Sequence, residues 1–234
     1  MESSKRQARL ERRRSQQRQS QIKWLGYLVA AAVIITVLLI LAQQISGPRV
    51  VAYSQKNGVS LGNPEAPVTL VEFADFQCSF CQQSYNQTEA SIIGQYVDTG
   101  DANYTYQIVG FLGPESVAAA EAAYCAADQN YFWEYHDILF APLNFSHGNS
   151  GGYTEEKLVQ FAQQVNGIDM DAFNQCLASD EKLAQISAAE SLASSLGISG
   201  TPGYVINGAV LPGFQPLEAL QRAIEAALAA VSGN

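Results

Sequence analysis

Past residue 23 the chain is poor in positive charge: five Lys or Arg stand against 20 Asp or Glu. The overall charge of −9 therefore divides into an N-terminal tail of +6, with eight cations and two acids in residues 1–23, and an acidic remainder of −15. That remainder gives no ground for expecting a nucleic-acid partner, and membrane topology alone accounts for the Arg-rich tail. Cysteine is scarce as well, with four in 234 residues, and only one CxxC is present. A structural zinc site needs about four ligands, so a lone CxxC leaves at most half of one, and no metal site and no cofactor are expected. Histidine occurs twice, at His136 in an aromatic stretch and at His147 in a Gly-rich loop. His136 reads as a structural residue, and His147 has no implied partner. The chain shows no internal repeat and no long heptad pattern.

One further absence is informative. Trp24 to Ala42 contains no charged residue in 19. As a helix it would span about 28 Å, close to the ~30 Å hydrocarbon core of a bilayer. Trp24 and Tyr27 lie at one end, where aromatic belts form, and the cations precede the span. The expected topology is a basic cytoplasmic tail (1–23), a transmembrane signal anchor (24–42), a polar linker (43–60) with a short strand near Val50–Ala52, and an extracytoplasmic domain (61–234). The apolar run exceeds a usual signal-peptide core, and no small-residue cleavage site follows it, so an uncleaved anchor is preferred to a signal peptide. Either way residues 43–234 lie where disulfides form and persist.

The motif of most chemical weight is Cys78-Ser79-Phe80-Cys81, directly after the apolar run Val68–Phe73. A CxxC leaving a strand puts its first thiol where a helix begins, and the unpaired N–H groups and partial positive charge of a helix N-terminus favour a thiolate. The thiolate is the form that attacks disulfides. Cys78 is the expected attacking thiol, and Cys81, one turn further on, the resolving one. Leu61–Pro67 is a turn-rich entry. A helix is expected from about Cys78 to Val97, a second strand over Asn103–Phe111, and helices over Ala118–Gln129, Phe132–Phe140, Asp169–Leu177 and Glu181–Leu196. Pro114 suits a helix first turn and Thr154 an N-cap. Residues 145–153 read as a loop. Asn207-Gly208 between Tyr204–Ile206 and Ala209–Leu211 signals a hairpin, and Pro216–Val231 a closing amphipathic helix. The order β-α-β, helical block (about 114–196), β-β-α predicts an α/β, thioredoxin-like fold with an inserted helical domain. Asp75 reads as a turn residue or cap.

Several pieces together resemble the DsbA-like family of thioredoxin-fold oxidoreductases: Glu72-Phe73 followed by Asp75-Phe76-Gln77 and the CxxC, Cys125-Ala126-Ala127 and Phe132–His136 in the helical block, and Gly197–Pro202 leading into the hairpin. The resemblance covers about residues 56–234. It implies a protein that makes or rearranges disulfides in secreted proteins, with reduced or misoxidised proteins as clients. It also implies a membrane quinone-linked redox partner of the DsbB or vitamin K epoxide reductase type. It further implies that Pro202 is cis and faces the CxxC, and that Thr201 offers backbone atoms to an extended substrate peptide. Glu72 matches the family's buried acid and becomes a candidate proton acceptor or relay for the thiols, the alternative being a solvent-facing strand residue. Some family members carry a second disulfide in the helical block, which makes Cys125 and Cys176 a candidate pair; two buried unpaired cysteines are the alternative. DsbA has Pro-His between its cysteines. With Ser79-Phe80 instead, this chain is expected to be less oxidising than DsbA's about −120 mV. A reductase or isomerase of the same fold, and a non-catalytic chaperone or metallochaperone, stand as alternatives.

Overall fold

The computed structural model describes residues 34–36, 53, 55–141 and 152–233. The chain divides into two units, residues 1–49 and 50–234. In the first, Ile34, Ile35 and Thr36 are helical, and the rest of the 24–42 span, like Val50–Ala52 and His147, lies outside the described residues. Among the described residues no helix is long and apolar enough to cross a membrane.

The second unit is built on a six-stranded sheet ordered β1-β2-β4-β3-β5-β6: β1 (Lys56–Asn57), β2 (Ser60–Leu61), β3 (Val68–Ala74), β4 (Ala102–Ile108), β5 (Gly203–Ile206) and β6 (Ala209–Pro212). Strand β3 is central, parallel to β4 and antiparallel to β5. Its near-continuous apolar sequence fits that place, because both of its faces are covered. The stretch expected to be linker, 43–60, contributes β1 and the first residue of β2. Lys56 pairs with Leu61 and Asn57 with Ser60, and Ser60 and Leu61 pair in turn with Thr105 and Tyr104 of β4. Two-residue strands carry too little periodicity to show in a sequence. They are held by the ladder and by the Ser60–Thr105 hydroxyl contact of 2.8 Å.

Helix α1 follows β3. It opens at Ser79–Ser84, passes through π-helical turns at Tyr85–Glu89, resumes at Ala90–Ile92 and ends in π-helical turns at Ile93–Val97. Five helices separate β4 from β5: α2 (Pro114–Asp128), α3 (Phe132–Leu139), α4 (Glu155–Ala162), α5 (Met170–Leu177) and α6 (Leu183–Ser195). Pro114 sits in the first turn of α2. Thr154 is the N-cap of α4 without a capping side-chain bond. Asp169 does cap α5, its Oδ1 accepting from the backbone N–H of Asp171 (2.9 Å) and Ala172 (3.1 Å). The β5–β6 hairpin turns through Asn207 and Gly208, both at positive φ (45° and 87°), the combination a two-residue type I′ loop requires. Helix α7 (Leu217–Ser232) closes the unit.

Strand alternation divides the core. Leu70, Ala74, Tyr104, Tyr106, Tyr204 and Ile206 join α1, α7 and the aromatic face of α3 (Phe132, Trp133, Tyr135) in one large cluster. Phe73 and Val109 meet Ala189 and Ala193 of α6 and Ile198 in a smaller cluster. Cys125 on α2 and Cys176 on α5 are joined by a disulfide with a Cα–Cα distance of 5.8 Å. The bridge ties two helices of the inserted block and lies in elements other than the CxxC helix.

Candidate active site

The CxxC is placed by a pinned turn. Asp75, fully buried at the end of β3, accepts hydrogen bonds at Oδ1 from the Gln77 N–H (2.8 Å) and the Ser116 hydroxyl (2.7 Å), and at Oδ2 from the Leu112 N–H (3.1 Å). Its carbonyl accepts from the Cys78 N–H at 3.0 Å. One side chain thus fixes the turn into α1 against the start of α2, a larger role than the turn or cap expected of it. Burial pushes the Asp75 carboxyl up, and these hydrogen bonds oppose that.

Cys78 is the N-cap of α1, in extended conformation (φ −82°, ψ 119°). Both cysteines are free, Cys78 at 8% exposure and Cys81 at 0%. Their acidities part sharply. A hydrogen bond from Cys81 is the largest influence on Cys78. With help from Thr201 and the backbone N–H groups of Cys81 and Phe80, it outweighs burial and brings the thiol down to about 6. Cys81 is driven the other way, first by burial, then by the hydrogen bond and charge of Cys78 and by the charge of Glu72. The pair is a ready thiolate beside a reluctant thiol.

Across from Cys78 the Thr201–Pro202 peptide is cis, and Cys78 Sγ lies 3.2 Å from the Thr201 carbonyl oxygen, to which the thiol form donates. The chain approaches closely here: a side chain on Gly203 would come within 2.6 Å of Ile198 Cγ2. Around the site, Phe80 is 57% exposed, and Phe111 and Leu112 are also exposed.

Glu72 is fully buried, in register with Tyr106 on one side and Tyr204 on the other. Tyr104 donates its hydroxyl to Oε2, and Oε1 has no hydrogen-bond partner among the described residues. Burial, then the charge of Glu89, raise its carboxyl to about 8, partly offset by the Tyr104 hydrogen bond and the charge of His136. Such a group can hold or release a proton near neutrality.

A second set of buried polar groups was not recognisable as a site from sequence. Glu89 Oε2 accepts from the Tyr106 hydroxyl at 2.5 Å and lies 3.4 Å from His136 Nε2. His136 Nδ1 lies 3.3 Å from Asp137 Oδ1, which also accepts from the Tyr53 hydroxyl at 2.7 Å. Burial alone would lower His136, but the neighbouring carboxylates prevail and raise it to about 9. Each ring nitrogen lies near its own carboxylate, so the three groups form a buried ion-pair chain. The signal for Glu89 was present: helical spacing puts it on the stripe of Ile92, Ile93 and Tyr96, and a carboxylate on an apolar stripe needs a buried partner.

A family model described as thioredoxin matches residues 54–226. The chain belongs to the thioredoxin family. A thioredoxin-like oxidoreductase from Silicibacter pomeroyi DSS-3 superposes with a TM-score of 0.60 at 32% identity, covering 73% of this chain and 92% of that one. A probable disulfide bond formation protein D of Bacillus anthracis is 29% identical over 193 residues, 79% of this chain and 87% of the relative. A sodium–proton antiporter NhaA of Salinispora tropica is 33% identical over 170 residues, 72% of this chain and 24% of the antiporter. The thioredoxin-family chain thus spans about a quarter of the length of the antiporter relatives it matches.

Proposed function

We propose that this protein is a membrane-anchored, extracytoplasmic thiol–disulfide oxidoreductase of the DsbA-like kind, working through Cys78 and Cys81. The observation that carries the reading is the split acidity of the pair: a Cys78 thiol brought to about 6 beside a buried Cys81 held as thiol, with the Thr201 carbonyl 3.2 Å from Cys78 Sγ. A thiol of that acidity is largely thiolate at neutral pH, a good leaving group and a ready nucleophile. Relatives named a probable disulfide bond formation protein and a thioredoxin-like oxidoreductase support the same reading.

In the oxidising direction a client thiolate attacks Cys78 Sγ of the Cys78–Cys81 disulfide. The sulfur–sulfur bond breaks, its electron pair goes to Cys81, and Cys81 takes a proton, for which Glu72 is the donor. The client's second thiolate attacks its own sulfur in the mixed disulfide. The client leaves oxidised and Cys78 leaves as thiolate. Thr201 and Pro202 form the ledge for the client backbone, and exposed Phe80, Phe111 and Leu112 offer apolar contact beside it. Residues 24–42 are the anchor, with the basic tail inside. The clients are reduced or misoxidised secreted proteins, and a quinone-linked membrane oxidase regenerates the disulfide. Cys125–Cys176 is structural and takes no part in exchange.

The test is Cys81→Ala in cells. Without the resolving thiol, clients accumulate as mixed disulfides on Cys78, visible as reducible adducts that Cys78→Ala abolishes. Absence of such adducts overturns the reading. The reductase or isomerase alternative differs in direction alone, and the redox potential of the purified protein separates the two. A value of about −120 mV or more oxidising overturns the expectation drawn from Ser79-Phe80.

A further inference from the structure

We infer that His136 is a positioning residue for thiol–disulfide exchange: held between Glu89 and Asp137, it is the buried cation that sets how readily Glu72 passes a proton to and from Cys81. The inference rests on the proposed exchange reaction, and it concerns a group that touches neither cysteine.

The contacts run from Glu72 to Asp137, with a ring contact rather than a hydrogen bond between Tyr104 and Tyr106. Tyr104 donates to Glu72, and its ring lies 5.6 Å from that of Tyr106. Tyr106 donates to Glu89, its ring lies 4.8 Å from the His136 ring, and its backbone is paired with Glu72 in the sheet. Asp137 Oδ1 lies 3.3 Å from His136 Nδ1 and Glu89 Oε2 lies 3.4 Å from Nε2, the latter an ion-pair contact without hydrogen-bond alignment, and Tyr53 closes the chain at Asp137. A histidine with a merely structural role in an apolar box needs one nitrogen satisfied and is neutral. Here both nitrogens face carboxylates, and the faces and edges of Phe76, Tyr85, Tyr106, Phe132, Trp133 and Phe140 surround the ring at 4.8–6.1 Å. Carboxylates at both nitrogens and aromatic rings around the rest suit an imidazolium.

The polar groups that interact with Glu72 are Cys81, Ser84 and Glu89 of α1, Tyr104 and Tyr106 of β4, His136 of α3 and Tyr204 of β5. Among the described residues His136 is the cation of this set. Lys56 is engaged with Glu134 instead. When Cys81 departs as thiolate and Glu72 gives up its proton, a buried carboxylate is left behind. His136 favours that carboxylate, and the negative charge of Glu89 opposes it. In regeneration the same steps run backward, with Glu72 taking the Cys81 proton as Cys81 re-forms its bond to Cys78.

The two influences have opposite signs, which makes the inference testable without any client. In the full chain held in detergent, with ¹³C-labelled glutamate and the Glu72 signal assigned by its loss in Glu72→Gln, the carboxyl is titrated in the reduced protein. The wild-type midpoint is expected at about 8. His136→Phe, which keeps an aromatic ring, is expected to raise it by about one unit, and Glu89→Gln to lower it by about one unit. The pH profile of single-turnover oxidation of a dithiol peptide should move in the same two directions. Midpoints unmoved, or moved together, overturn the inference. If His136→Phe does not fold, His136→Gln takes its place: a midpoint that fails to rise overturns the inference. Because the titration is read without exchange, an inactive cysteine pair with a responsive Glu72 would instead count against the proposed function.

Discussion

At the scale of single residues, the site works by making neighbours unlike. Cys78 and Cys81 are three positions apart, yet one is held near 6 and the other well above its ordinary value. The largest influence on Cys78 is its hydrogen bond with Cys81. Cys81→Ala should therefore raise the Cys78 midpoint from about 6 toward the ordinary thiol value, read by thiolate absorbance at 240 nm across pH 4–10. An unchanged midpoint would transfer the effect to the helix N-terminus and Thr201. Cys78 and Cys81 were legible in sequence because CxxC after a strand is a compact signal. The burial of Glu72 was legible only through family resemblance, since alternation along β3 is blurred by a run apolar on both faces. Its partners Tyr104, Tyr106 and Glu89 are brought to it by parallel pairing and helix docking across 17 to 34 residues of chain, which no local pattern encodes.

At the scale of elements, the helices of the inserted block were legible from Ala-rich and amphipathic runs, and the β5–β6 hairpin from Asn207-Gly208. The β1–β2 hairpin was missed because its strands are two residues each and owe their form to the edge of β4. The π-helical turns of α1 were missed because no sequence period marks them; they rotate the stretch after the CxxC and leave Ser84, Thr88 and Glu89 buried toward the sheet. Within the block, the Cys125–Cys176 bridge closes a loop of 51 residues. In the chain-entropy model that is worth about 4 kcal/mol. The double variant Cys125→Ala/Cys176→Ala should lose about that much in urea unfolding while retaining exchange through Cys78. Loss of exchange in a variant that remains folded would give the bridge a part in the chemistry.

At the scale of the whole molecule, proton and electron states are linked. The lowered Cys78 thiol contributes stability to the reduced fold that is fully present above the ordinary thiol value of about 9 and lost as pH falls through about 6. The oxidised protein has no such term. Glu72, raised to about 8, and His136, raised to about 9, act in both states: each favours the fold at low pH and withdraws that favour as pH rises through its own value. The stability of the oxidised form should thus fall between pH 6 and 9, while that of the reduced form falls less or rises. Urea midpoints of both forms at pH 6, 7, 8 and 9 check this, and a gap that does not widen would show that Cys78 is not the linked group. The same split acidity fixes an electrochemical ratio. Between pH 7 and 8, filling the pair with two electrons takes up about one proton, because Cys78 remains largely bare and only Cys81 is protonated. The potential of the pair should then drift by about 30 mV per pH unit, half the slope of a couple that takes one proton with each electron. Against a client dithiol that takes up two protons as it is reduced, such a pair gains about 30 mV of driving force, a tenfold change in the exchange equilibrium, for each unit that the pH rises.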